Sequence, residues 1–211
     1  MNLRSNLVDN GAVSAVITTA DFKTHARIYH SQDDTYIDTL IVSSTQAIEH
    51  ATRRAFVNRS FIYTLVDFPS PGFPSSIEST GSANGEIILP RSPMSSITSI
   101  VYNNTSSVAT TLIENTGYYS YSINGVGRIV APSSTAWPQV EDLGRPAVTI
   151  TFIAGYGSSA SSTPAALRHA VMLMATHLYE NRQPVNIGNT VNDIPKTVDA
   201  LIAQYHTGDY A

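Results

Sequence analysis

Apolar positions along the chain switch period twice, and the switches divide it. From Asp33 to about Ala55, Ile37, Leu40, Ile41, Ser44, Ile48 and Ala51 recur three and four residues apart, which predicts a long helix. Asp33 and Asp34 sit where a helix dipole favours acids, and Arg53 and Arg54 complement its other end. A shorter helix precedes it in TTADFKTHARI, with Thr19 as the expected cap before Asp21 and an end near Arg27. Beyond residue 57 the period falls to two. SFIYTLVDF and SSITSIVYNN alternate, EIILP is a short apolar run, and AVTITFIAGY places Val148, Ile150, Phe152 and Ala154 on one face. Asn84-Gly85 and Asn124-Gly125 predict hairpins, because both central residues of a type I′ turn need positive φ. Helical spacing returns from Pro164 to about Asn181 and again from Pro195 to Tyr205.

This order predicts an α+β protein: a four-helix core with a mostly antiparallel β insertion between the second and third helices. The expected parts are residues 1–56 and 157–211 for the helical core and 57–156 for the β subdomain. Two loops punctuate it, one from Pro69 through Pro71, Gly72 and Pro74 to Gly85, the other GYGSSASST.

The third helix carries more apolar surface than one contact needs. Ser162 or Thr163 is its expected cap and Pro164 fits a first-turn position. Leu167, Val171, Met174 and Leu178 form one stripe, with Met172 and Leu173 outside it. So wide a surface implies burial on two sides, against other helices or another subunit. Met172, Leu173 and Tyr179 are the candidate subunit-interface residues. The helix ends at Tyr179-Glu180-Asn181-Arg182, where Arg182 suits the negative dipole end and Pro184 forbids continuation.

Composition narrows the chemistry. Hydrophobic residues are 42% of the chain and charged residues 13%, so a core is affordable but the surface is poor in charge, a surface suited to cover by partners. A net charge of -4, with no run among the 12 basic residues, leaves no footprint for gripping nucleic acid. The absence of cysteine removes disulfides, thiolate zinc sites and cysteine nucleophiles. AVSAVI near the N-terminus is too short and too interrupted for a signal or a membrane span, and a soluble chain is expected. Without a secretion signal, the sequons at Asn58 and Asn103 read as chance.

Candidate sites are few. His177 and Glu180 are three apart on a helix, a spacing at which two side chains can share a divalent metal. They lack a third ligand and any H-E-x-x-H pattern, so a helix-flank histidine bonding a neighbour is the preferred reading; His169 is expected to be solvated. GYGSSAS lacks the Gly-Lys-Ser/Thr of a phosphate loop, and no nucleophile elbow is present. Tyr118, Tyr119 and Tyr121 suggest either cross-strand packing or a carbohydrate-binding or protein-binding face.

Five phrases in order, DDTYIDTLIVSSTQAIEHATRRAF, ILPRSPMSSITSIVY, AVTITFIAGYG, PAALRHAVMLMATHLYENR and IPKTVDALIAQY, carry a resemblance running from about Thr19 to Tyr205. The chain resembles the head-tail connector, or head completion adaptor, family of long-tailed bacteriophages and prophages. The resemblance implies a structural protein of the virion neck, made in the host cytoplasm. It implies no catalysis and no cofactor. Such chains form a ring, commonly of twelve copies, beneath the portal protein, extending the DNA channel and receiving the next tail-side protein. On this expectation DNA slides past without specific binding, and no membrane is involved. The tail from about Asn186 to Ala211, through Val198, Leu201, Ile202 and Tyr205, is the expected portal-docking part. A carbohydrate-binding or receptor-binding virion module, and a metal-dependent hydrolase using His177 and Glu180, stand as alternatives.

Overall fold

The computed structural model describes residues 5–69, 81–82, 85–133, 136–141, 144–182 and 196–206. The chain is α+β, with four helices and antiparallel sheets. In order, strand β1 (Ser5–Asp9) precedes helices α1 (Thr19–Ala26) and α2 (Asp34–Thr52). Strands β2 (Arg59–Leu65), β3 (Gly81–Ser82), β4 (Glu86–Ile88), β5 (Met94–Asn103), β6 (Ala109–Leu112), β7 (Tyr119–Ile123), β8 (Val126–Val130) and β9 (Val148–Ala154) follow. Helices α3 (Ala165–Glu180) and α4 (Lys196–Ala203) complete it. Two compact units result: residues 13–57 with 156–206, built of helices, and residues 1–12, 58–155 and 207–211, built of strands. The first twelve residues, grouped by the sequence with the helices, fall with the strands, because β1 pairs along its own whole length with Phe61 to Leu65 of β2.

In the helical unit, α1 starts at a capping box. Thr18, not Thr19, is the cap: its hydroxyl accepts from the Asp21 backbone N–H, while the Asp21 carboxylate accepts from the Thr18 N–H. Hydrogen bonds from the Thr18 hydroxyl and then from its backbone N–H hold the Asp21 carboxyl below its ordinary range. Thr19 instead bonds Asp38 across to α2. Along α2, Ile37, Leu40, Ile41, Ser44 and Ile48 are buried as their spacing predicts. Ala51 is exposed and Thr52 takes the last inward position. Glu49 is buried because it is used: its Oε1 accepts the Phe56 N–H at 2.6 Å, tying down the chain after the helix. The core joins these residues to Phe22, Phe56, Leu167, Ala170, Val171, Ala175, Val198 and Ile202.

In the strand unit one sheet runs β1-β2-β9-β5-β6 and a second β3-β4-β8-β7, antiparallel throughout. Period-two residues meet in register: Phe61 faces Phe152, Tyr63 faces Ile150 and Leu65 faces Val148, all buried. The Phe61 and Phe152 rings stack with centroids 5.5 Å apart. Between β7 and β8, Asn124 and Gly125 have φ of 52° and 83°, the turn their dipeptide predicts. Asn84 and most of the Pro69 to Gly85 loop lie outside the described residues.

Candidate functional site

The surfaces of α3 decide how much apolar area is left for a partner. Its fully buried face is Leu167, Ala170, Val171 and Ala175, not the stripe expected from the sequence, since Met174 and Leu178 are only half-buried. Small alanines let the helix sit close to its neighbours, so the larger side chains flank the seam. Met172, Leu173, Met174, Leu178 and Tyr179 all rest partly on the chain's own core and keep part of their surface in solvent. The cap differs too. Pro164 is the N-cap residue, its carbonyl accepting from the Leu167 and Arg168 N–H groups. Thr163, the expected cap, donates its hydroxyl hydrogen to the Phe56 carbonyl.

Tyr179 reaches back to the start of α2. Its hydroxyl donates to Asp33 Oδ2 at 2.6 Å, and Arg182 Nη2 lies 2.8 Å from the same oxygen. The Arg182 guanidinium sits 4.8 Å from the ring centroids of both Tyr36 and Tyr179, and the Tyr179 ring meets Phe22 edge-on. The Tyr179 hydroxyl and Arg182 hold the Asp33 carboxyl below its ordinary range, while that hydrogen bond pushes the Tyr179 phenol up. Asp33, read from sequence as a dipole acid, and Arg182, read as a dipole base, are therefore partners across 149 residues of chain. Arg54, likewise assigned to a dipole, donates to the Tyr205 carbonyl and the Tyr156 hydroxyl.

On α4, Val198 and Ile202, expected in portal docking, are buried in the helical core. Leu201 and Tyr205 are half-buried against that core. Residues 186–195 and 207–211, the remainder of the expected docking tail, lie outside the described residues.

The strand unit holds a second carboxylate cluster that the sequence did not announce. Glu86 is buried; its carboxylate accepts from the Tyr121 hydroxyl and, at 2.9 Å, from Arg128 Nη1. Hydrogen bonding to Glu86 pushes the Tyr121 phenol up. A carboxylate inside the apolar run EIILP was the available signal, since buried acids need partners. Tyr118 is buried, whereas Tyr119 and Tyr121 stand on the open face of β7 with Ile123.

Among the described residues, catalytic groups do not converge. His177 Nδ1 lies 3.4 Å from Asn181 Nδ2, and Asn181 closes the end of α3 by donating to the His177 carbonyl at 2.9 Å. Among the described residues, no group of three His, Cys, Asp or Glu side chains is placed to hold a metal. His169 is exposed, edge-on to His25. A cleft of about 560 Å³ beside Phe68 and Trp137 has Asp67 as the sole charged residue on its described lining, too little for acid and base work. No described helix is long and apolar enough to cross a membrane.

Residues 16–124 match the family described as phage gp6-like head-tail connector protein, a stretch that runs from the entry into α1 to the β7–β8 turn and covers more than half of the chain. The chain belongs to that family. Connectors of this type are structural proteins. Three solved structures are similar over nearly the whole connector. The virion of a native gene transfer agent particle matches with TM-score 0.73 and 25% identity, over 95% of this chain and 95% of that one. The neck of a native particle with C12 symmetry matches with TM-score 0.69 and 25% identity, over 96% and 95%. The neck of an empty particle with C6 symmetry matches with TM-score 0.71 and 24% identity over the same shares, a likeness of fold. No curated protein matches by sequence.

Proposed function

We propose that this connector is a subunit of a twelve-membered ring in the neck of a phage-like virion, beneath the portal protein, where it extends the DNA channel and receives a tail-side protein. The observation that carries the reading is the likeness to a C12 neck component over 96% of this chain, together with family membership. In this reading the helical unit is interrupted between α2 and α3 by the strand unit. The half-buried Met172 and Leu173 contribute to the subunit contact, while Tyr179 braces that surface through Asp33. Portal docking draws on Leu201 and Tyr205, because Val198 and Ile202 are committed to the core. A net charge of -4 and no basic run suit a channel that does not retain phosphates.

The test is electron microscopy of particles carrying Leu173→Asp beside wild type. Wild-type particles should have a twelve-fold ring of this chain at the neck, and the variant should fold as a monomer but be missing from particles. A chain absent from wild-type necks overturns the reading; normal incorporation of Leu173→Asp overturns the assigned interface.

A further inference from the structure

Five of the seven large hydrophobic residues exposed among the described residues fall within sixteen positions: Val108, Ile113, Tyr119, Tyr121 and Ile123. Val108 and Ile113 flank β6 on either side, and the other three lie on β7. That stretch of sequence is nearly free of charge, and the Glu86–Arg128 pair beside Tyr121 is mutually compensated. Between Arg91 and Arg128 the only charged residue is Glu114, whose carboxylate already accepts from the Ser120 hydroxyl at 2.5 Å.

Both strands are sheet edges. Among the described residues β6 pairs only with β5, and β7 only with β8, so each turns one side of its backbone away from its own sheet. An open edge offers N–H and C=O groups to any passing strand, and proteins ordinarily blunt it with lysine, proline or a bulge. Neither strand has any of these: their sequences are ATTL and YSYSI, and both pair in unbroken register. The opposite edge of the larger sheet is different. There β1 carries Asp9, which is paired with Arg59 at 2.8 Å.

Resting on the ring reading above, we infer that the β7 edge and its Tyr119, Tyr121 and Ile123 row receive the β6 edge of the neighbouring copy. The occupant must be neutral. A charged partner would lose hydration against tyrosine and isoleucine, and the nearby carboxylates are already engaged, Glu114 by Ser120 and Glu86 by Tyr121 and Arg128. This chain carries such a partner, a second bare edge of four residues facing one of five, flanked by Val108 and Ile113. Two different patches meeting head to tail repeat by rotation, the arrangement that closes a ring. Strand addition would supply the contact through main-chain bonds, with apolar side chains fixing the register.

The cysteine-free sequence makes the test clean. Particles are assembled with one cysteine introduced within 109–112 and a second by Tyr119→Cys or Ile123→Cys, then oxidised and denatured without reductant. The double variants should give a ladder of linked chains while each single variant stays monomeric. Hydrogen exchange, which needs no variant, compares wild-type chain free and in the ring: amides of β6 and β7 should slow together on assembly. Unchanged exchange in a ring that contains the chain overturns this inference and leaves the ring reading intact; absence of the chain from the ring overturns that reading itself. Glycan binding by intact particles that is lost with Tyr119→Ala, in rings otherwise unchanged, also overturns it, assigning the tyrosine row to a sugar.

Discussion

The two units contain the same chemical device in different surroundings. Each joins one carboxylate to one tyrosine hydroxyl and one arginine: Asp33, Tyr179 and Arg182 among the helices, and Glu86, Tyr121 and Arg128 among the strands. In the first, half of the Arg182 side chain is exposed. In the second, the Glu86 and Arg128 side chains retain 6% and 14% of their exposure. Coulomb attraction is screened in the first and strong in the second, but so is the penalty for leaving one member alone. The helical cluster is thus an adjustable tie between the start of α2 and the end of α3. The strand cluster is an obligatory part of its sheet.

Substitutions can break that contrast in order of effect. Glu86→Ala leaves Arg128 without this carboxylate in a nearly buried site, and chemical denaturation should register a loss of about 3–5 kcal/mol. Tyr121→Phe keeps the ring and removes one hydrogen bond to a charged group. Because the tyrosine itself is partly exposed, the loss should fall near about 1.5 kcal/mol, the low end for such bonds. Asp33→Asn should cost least of the three, and its effect should shrink in molar salt, while that of Glu86→Ala should not.

Acidity sharpens the same contrast. The Asp33 carboxyl is held below its ordinary value, so its stabilisation is full above the unfolded value of about 3.8 and fades as pH falls through the folded one. The Tyr179 phenol is pushed up, so its share is full below about pH 10 and fades as pH rises through the folded value. The stability difference between wild type and Asp33→Asn should therefore be flat between those limits and close at the acid end. Tyr179→Phe should remove the alkaline fall that this pair contributes, measured by denaturation across pH.

Period carried most of the secondary structure. Ile37 to Ile48 and Val148 to Ala154 have their inward faces where three-to-four and two-residue spacing place them. Strand β1 escaped because an edge strand with burial on neither face regularly leaves no alternation: Leu7 and Val8 are adjacent, and Val8 is exposed. Caps were displaced by one residue, to Thr18, whose hydroxyl makes the capping bond, and to Pro164, which caps through its carbonyl alone. The excess of apolar surface on α3 was legible, but the chain's own core takes more of it than spacing could say. Long-range polar pairs were not legible. Asp33, Arg54 and Arg182 each had an adequate local explanation at a helix end, and no pattern in sequence connects positions 33 and 182.

The strand order has a further consequence, for synthesis. β9 lies between β2 and β5 in the larger sheet, yet it leaves the ribosome roughly eighty residues after β2. At about 5–20 residues per second, β1 and β2 wait several seconds with no inner neighbour. The helical core waits longer, since α2 packs on α3, which is made later still. The strand unit cannot finish until β9, ending at Ala154, appears, and the helical unit not until α3 and α4 do. A truncated product should therefore be recognisable to proteases as unfolded.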